Sequence, residues 1–134
     1  MNRENLEKLA SYLEGLPTDY EHFDMFDFFW VKHGGGYMYP DEAPLPPECG
    51  AVACAVGHGP AAGLPALEGE SWNHYSDRVF ALGETSWNWC FSDRWKKVDN
   101  TPQGAAKRIR YMLEHGRPEN SEAQRMGTAP YMFA

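Results

Sequence analysis

The sequence is poor in cysteine and has none of the spacings that typically bind metals. Three cysteines in 134 residues cannot all pair in disulfide bonds, and no CxxC or HxxxH spacing is present. No stretch approaches the ~18 consecutive apolar residues of a membrane-spanning helix, and the polar start of the chain is unlike an export signal. We therefore expect a soluble protein of a reducing compartment, the cytoplasm, with no metal and no cofactor.

Positive charge is also scarce, and it is unevenly placed. Twelve basic against 19 acidic side chains give a net charge of −7, all of which lies in residues 1–60. Residues 61–134 are neutral overall, although residues 94–110 carry six basic side chains and one acidic side chain. A net-negative chain is repelled by nucleic acids and by anionic membranes. We expect no membrane binding, and nucleic-acid binding only through the local basic patch.

Aromatic residues, in contrast, are abundant: the chain has five Trp, seven Tyr and seven Phe. Large rings carry much of the core in a chain of this size, which suits one compact domain. The apolar content of 43% and the charged content of 23% are those of an ordinary globular protein. The sequence predicts one globular helical domain over residues 1–116, followed by a loosely ordered C-terminal tail over residues 117–134.

Apolar residues recur at helical spacing in three segments, and we predict that each is an amphipathic helix. The segments are residues 2–14, 71–82 and 101–116. In the third, Pro102 takes the first helical position, where it loses only a donor that has no partner in a helix. Each segment begins at a residue whose side chain can cap a helix: Asn2, Ser71 and Thr101.

Two shorter segments have less regular patterns. The most hydrophobic stretch, residues 23–31, fits either a buried strand or a short helix, and we favour the helix. A second short helix is predicted from Trp87 to Phe91.

Three consecutive glycines and four prolines predict an irregular loop over residues 33–47, because glycine frees the backbone and proline removes hydrogen-bond donors.

Residues 48–58, with the sequence ECGAVACAVGH, include small residues on every side of a helix. Neighbouring elements can approach such a helix closely, so we predict that it lies at the centre of the fold. The predicted fold class is mainly α, a single small domain of about five helices around a central small-residue helix, with an irregular Gly/Pro loop.

Cys54 and His58 lie four residues apart in this segment. A cysteine beside an imidazole is the minimum for a nucleophile or for half of a metal site. Both residues lie among alanines and glycines, however, where a free cysteine usually behaves as a small hydrophobic residue. We favour a structural role for the pair and predict no catalytic residue, and a Cys/His enzyme is the third functional hypothesis.

The aromatic and basic segment over residues 87–111 is the candidate binding site. Basic side chains interleaved with exposed rings can hold a phosphate backbone and stack on bases. Alternatively, this basic face complements the acidic first half of the same molecule or of a dimer. The candidate binding residues are Trp87, Trp89, Arg94, Trp95, Lys96, Lys97, Lys107, Arg108 and Arg110.

Three motifs together resemble a group of small proteins common in bacteriophages and prophages. They are FDM at residues 23–25, CGAVAC at residues 49–54, and the helix that opens with Thr-Pro at residues 101–102. This chain differs from the group at Ala51, where threonine is usual, and at His58, where tryptophan is frequent. The resemblance implies a phage or bacterial setting and assigns no activity, ligand or catalytic residue.

The leading functional hypothesis is a non-enzymatic binding protein, a phage-encoded modulator that binds a host or phage protein. Its basis is the absence of a convincing catalytic arrangement, together with an acidic first half and a surface with many aromatic rings, which suit a basic partner. The alternative is a small-ligand or nucleotide-binding protein that uses the aromatic and basic segment.

Overall fold

The computed structural model describes residues 1–33, 36–38, 40–41, 43 and 51–116. About half of these residues are helical, which confirms a mainly helical protein. The part of the chain so described contains four α-helices, two 3-10 helices and one small sheet. In chain order, the elements are α1 (Arg3–Glu14), β1 (Phe29–His33), β2 (Gly36–Met38), β3 (Val52–Ala53), the 3-10 helix Val56–His58, α2 (Trp72–Phe80), α3 (Glu84–Phe91), the 3-10 helix Asp93–Lys97 and α4 (Pro102–His115).

Helices α1 and α4 form as predicted and pack against each other. The Asn2 side chain accepts a hydrogen bond from the Asn5 N–H, and the Thr101 hydroxyl accepts one from the Gly104 N–H. These caps satisfy donors that have no partner within a helix. Arg110 on α4 pairs with Glu14 on α1 at 2.9 Å. The apolar face of α1, buried in the core, consists of Leu6, Leu9, Ala10 and Leu13.

Helix α2 also begins as predicted, with the Ser71 hydroxyl accepting from the His74 N–H. It ends two residues earlier than expected, because Ala81 takes the left-handed conformation with φ 52°. Helix α3 is longer than the predicted Trp87–Phe91 segment and starts at Glu84. Trp87 on α3 donates a hydrogen bond to Ser76 on α2, which joins these two helices.

The prediction of a short helix over residues 23–31 is wrong. Asp24 and Asp27 accept hydrogen bonds from the backbone N–H groups of Phe26 and Phe28, and such local bonds compete with helix formation. The chain then enters β1, the central strand of an antiparallel sheet with the order β2-β1-β3. Strand β2 lies within the predicted loop 33–47, whose residues 34–35, 39, 42 and 44–47 are outside the described part of the chain.

The prediction of a central helix over residues 48–58 is not confirmed, since the described residues form β3 and a 3-10 helix. Their backbone donors bond to another segment: Ala53 N–H donates to the His22 carbonyl, and Cys54 N–H to the Asp27 carbonyl at 3.1 Å. Close approach does occur there, because a Cβ on Gly57 would meet the Phe28 carbonyl oxygen at 1.8 Å. Residues 48–50 lie outside the described part.

The tail predicted over residues 117–134 also lies outside the described residues, and the domain boundary at residue 116 stays a prediction.

Among the helices that the structure describes, none combines the length and apolar character needed to cross a membrane. The core of the described part is rich in rings, including Trp72, Tyr75, Phe80 and Trp95.

Candidate functional site

Trp87 lies half-buried on α3 and is held in a fixed position. Its indole N–H donates a hydrogen bond to the Ser76 hydroxyl at 2.6 Å. Its ring packs against Phe28, with centroids 5.8 Å apart, and against Phe91 at 6.0 Å. A ring restrained in this way loses little conformational freedom when a ligand binds to it.

A cavity of about 200 Å³ lies between residues 25–28 and α3, and we name it the Cys54 cavity. Four aromatic residues contribute to its wall, and Cys54 lies in its lining. The residues that line it are Met25, Phe26, Asp27, Phe28, Cys54, Trp87, Asn88, Phe91, Ser92 and Asp93.

A second cavity of about 400 Å³ lies between α2 and α3, and we name it the Glu84 cavity. Trp87 lines both cavities, so the two cavities meet at this residue. The residues that line the second cavity are Asn73, Ser76, Asp77, Leu82, Glu84 and Trp87.

The charged residues that line the two cavities are all acidic. Within the described part of the chain, none of these carboxylates has an ion-pair partner, whereas Glu70 is held by Arg78 at 2.7 Å. Unpaired carboxylates beside exposed aromatic surface produce a negative potential that attracts cations. The four carboxylates are Asp27, Asp77, Glu84 and Asp93.

One basic side chain does contact a ring of the Cys54 cavity. The Lys96 ammonium lies 4.6 Å from the centroid of the Phe26 ring, and Phe26 is 45% exposed. This is a cation–π contact, in which the negative face of the ring attracts the positive charge. The ammonium group of Lys96 therefore contacts the ring of Phe26, a residue that lines the cavity.

Cys54 lies in the cavity lining but is 4% exposed. Burial raises the pKa of its thiol to about 12, against the lowering effect of backbone hydrogen bonds; the negative charge of Asp27 adds to the rise. A thiol with such a pKa is protonated at neutral pH and is a poor nucleophile.

His58 is buried beside three aromatic rings, and Phe23 stacks on it at 5.7 Å. Its Nε2–H donates a hydrogen bond to the His22 carbonyl oxygen at 2.9 Å. Burial lowers the pKa of His58 to about 4, so the ring is neutral at neutral pH. Cys54 and His58 therefore have the surroundings of packing residues, and among the described residues no three potential ligands are grouped to hold a metal ion.

Three of the predicted binding residues lie in the core. Trp89, Trp95 and Arg108 are each at most 3% exposed, so their side chains are closed to a surface ligand. The Trp95 indole N–H donates to the Trp89 carbonyl, and the Arg108 guanidinium lies 4.0 Å from the Trp95 ring centroid. Within the described structure, Nε and Nη2 of Arg108 have no hydrogen-bond partner.

The other predicted residues do not converge on one site. Arg110 pairs with Glu14, as expected if basic residues complement the acidic first half of the same molecule. Trp87 lies between the two cavities, and of the predicted residues it alone lines either of them. The remaining four are exposed: Arg94, Lys96, Lys97 and Lys107.

Sequence reasoning missed the acidic residues around Trp87. The signal for them is the alternation of ring and carboxylate at Phe26, Asp27 and Phe28, together with the i, i+4 pair of Trp87 and Phe91 on α3. Neither pattern alone indicates that the two segments meet. No family model, curated protein or solved structure matches this chain significantly.

Proposed function

We propose that this protein is a non-enzymatic binding protein that docks on a basic segment of another protein through the surface around Trp87. The observation that carries the proposal is a fixed, half-buried tryptophan between two cavities whose charged lining residues are all carboxylates. Aromatic anchors of this kind contribute a large share of the energy of protein interfaces, and complementary charge directs association.

The setting of this interaction is part of the same proposal. The resemblance to small phage and prophage proteins supports a phage-encoded modulator that acts in a bacterial cytoplasm. We name the linings of the two cavities together the Trp87 surface. Its negative charge favours a host or phage protein with clustered lysines and arginines as the partner. Opposite charges at the rim of such an interface increase the association rate, and salt weakens this effect.

The second candidate is a nucleotide or another phosphate ligand. It is favoured by the exposed Arg94, Lys96 and Lys97 on the 3-10 helix that follows α3. Base stacking would depend on Trp87, since Trp89 and Trp95 are buried. The carboxylates beside Trp87 would repel a phosphate, and for this reason we prefer the basic protein partner.

The test compares ligands of opposite charge. The probes are a fluorescent 12-residue peptide rich in lysine and arginine, its acidic counterpart and ATP. We expect the basic peptide to bind, to shift the indole N–H signal of Trp87 in NMR spectra, and to weaken with added salt. Binding of the acidic peptide or of ATP at Trp87, or no binding of the basic peptide, would overturn the proposal.

A further inference from the structure

The Cys54 cavity has the dimensions of one side chain. Its volume of about 200 Å³ lies below the range of roughly 300–1,000 Å³ that is usual for drug-sized ligands. It would hold several water molecules, each of which takes about 30 Å³ in the liquid. A single long side chain from a partner fits such a space better than a nucleotide does.

The chemistry of the wall favours a positive charge at the tip of that side chain. Phe26, Phe28 and Trp87 contribute rings whose faces attract cations. Asp27 also lines the cavity, and its negative charge adds to the raised pKa of the Cys54 thiol. Apolar walls with a carboxylate suit the methylene stem and charged head of a basic residue.

The contacts of Asp27 leave it able to bind either basic side chain. Its Oδ1 accepts a hydrogen bond from the Phe28 N–H at 2.7 Å. Each carboxylate oxygen has two acceptor positions, and Glu70 shows the consequence, because its Oε1 accepts from the Leu67 N–H and also pairs with Arg78. Asp27 can therefore bind the ammonium group of a lysine or the guanidinium group of an arginine.

Lys96 shows that the Phe26 ring can make a cation–π contact with an ammonium group. Its Nζ lies 4.6 Å from the ring centroid in the protein itself. A ligand ammonium near the same ring would meet the repulsion of this positive charge. Lys96 therefore opposes the binding of a cation and would favour the binding of an anion.

We propose that the Cys54 cavity receives the charged head group of one basic side chain, lysine or arginine, of the partner, and that Lys96 competes with this group at the Phe26 ring. The inference rests on the proposed function, because it names the part of the basic segment that enters this cavity. It adds a cavity that takes a single basic side chain and an internal competitor.

The test uses single-residue probes at constant ionic strength: N-acetyl-lysine methylamide, the arginine analogue and the neutral norleucine analogue. The readout is the indole N–H signal of Trp87, assigned from the spectrum of Trp87→Phe. We expect a saturable shift with the lysine probe and with the arginine probe, and none with the norleucine probe. An equal response to norleucine, or no response to either basic probe, overturns the inference.

Variants test the two residues that carry the argument. Asp27→Asn keeps an oxygen for the Phe28 N–H and should weaken the binding of the lysine probe by about tenfold to a hundredfold, the usual worth of a hydrogen bond to a charged group. Lys96→Gln should tighten it about twofold to fivefold, the value of an exposed cation–π contact. Lys107→Gln, on α4 and outside the cavity, removes the same charge and should leave the affinity unchanged.

The outcomes separate this inference from the proposed function. If the basic peptide shifts the Trp87 signal and neither basic probe does, the proposed function stands and a basic side chain in the Cys54 cavity is excluded. If Lys96→Gln weakens the binding of the lysine probe or leaves its affinity unchanged, competition by Lys96 is excluded. If the peptide and both basic probes fail to bind, both proposals fail.

Discussion

Gly57 lies against the backbone of Phe28 so closely that a Cβ on Gly57 would stand 1.8 Å from the Phe28 carbonyl oxygen. The same oxygen accepts a hydrogen bond from the Cys54 N–H at 3.3 Å. This contact joins the 3-10 helix Val56–His58 to the segment that supplies Asp27 and Phe28 to the Cys54 cavity. The packing of small residues therefore positions the wall of the candidate site.

Gly57→Ala should lower the free energy of unfolding by about 3 kcal/mol, because the added methyl group must displace backbone atoms. Thermal and chemical denaturation measure the effect. Gly15→Ala is the matched control: a Cβ there finds its nearest neighbours at 3.6 Å, and Gly15 has a φ of −84°, so stability should be unchanged or slightly raised. Equal stability of the two variants would show that the Gly57 contact is wrong.

The buried His58 should make stability depend on pH. Because burial lowers its pKa in the folded protein to about 4 from 6.5, the unfolded chain binds a proton between these values that the folded chain does not. The contribution of the neutral, buried His58 to the free energy of unfolding is fully present above pH 6.5 and is lost as the pH falls towards 4. The loss in free energy of unfolding over this range is about 3 kcal/mol.

Urea denaturation at several pH values checks this prediction. In His58→Gln, the loss of stability between pH 6.5 and 4 should be smaller than in the unmodified protein, whereas His74→Gln, on the exposed side of α2, should behave as the unmodified protein does. An unchanged pH dependence in His58→Gln would contradict the burial of a neutral imidazole.

Cys54 and Cys90 should resist alkylation in the folded protein. Burial raises the pKa of each thiol to about 12, so the reactive thiolate is nearly absent at neutral pH. Iodoacetamide labelling followed by peptide mass spectrometry should modify both cysteines only after denaturation. Rapid labelling of Cys54 in the native protein would instead favour the Cys/His enzyme hypothesis.

Arg108 is a buried cation whose Nε and Nη2 have no hydrogen-bond partner in the described structure. Arg108→Met should therefore change the free energy of unfolding by no more than about 1 kcal/mol, because an apolar side chain removes the cost of burying a charge. Arg108→Lys should lower it by about 2 kcal/mol, since a strongly hydrated ammonium cannot stack on Trp95. A larger loss for methionine than for lysine would contradict this view.

The helices with local signals are predictable from the sequence. Caps at Asn2, Ser71 and Thr101 act within one turn, so α1, α2 and α4 begin where the sequence indicates. Residues 51–58 depend instead on distant partners: Ala53 pairs with Phe29 and bridges to Phe23. Their small side chains indicate close packing, but close packing alone does not distinguish a helix from a strand.

The candidate site is predictable only at Trp87. Trp95 and Arg108 belong to the same aromatic and basic segment, yet the fold places them inside, where each contacts the other. Asp27 comes to the site from a segment far from α3 in the sequence, and in that segment its carboxylate accepts a hydrogen bond from the next backbone N–H. Such pairings arise from tertiary contacts, which one sequence does not display.

The central claim is that the carboxylates around Trp87 bind a cationic partner. Its most direct test is the dissociation constant of the basic 12-residue peptide for two variants of equal net charge. One replaces the four cavity carboxylates by amides at Asp27, Asp77, Glu84 and Asp93, and the other does so at four exposed acidic residues outside the cavities, Glu7, Asp19, Asp41 and Glu68.

We expect the cavity variant to lose about a hundredfold in affinity, because it removes charges that contact the ligand, and the surface variant to lose only a few fold through the change in net charge. Both variants should unfold at the temperature of the unmodified protein, within a few degrees. Equal losses in the two variants, or full affinity in the cavity variant, would contradict the account.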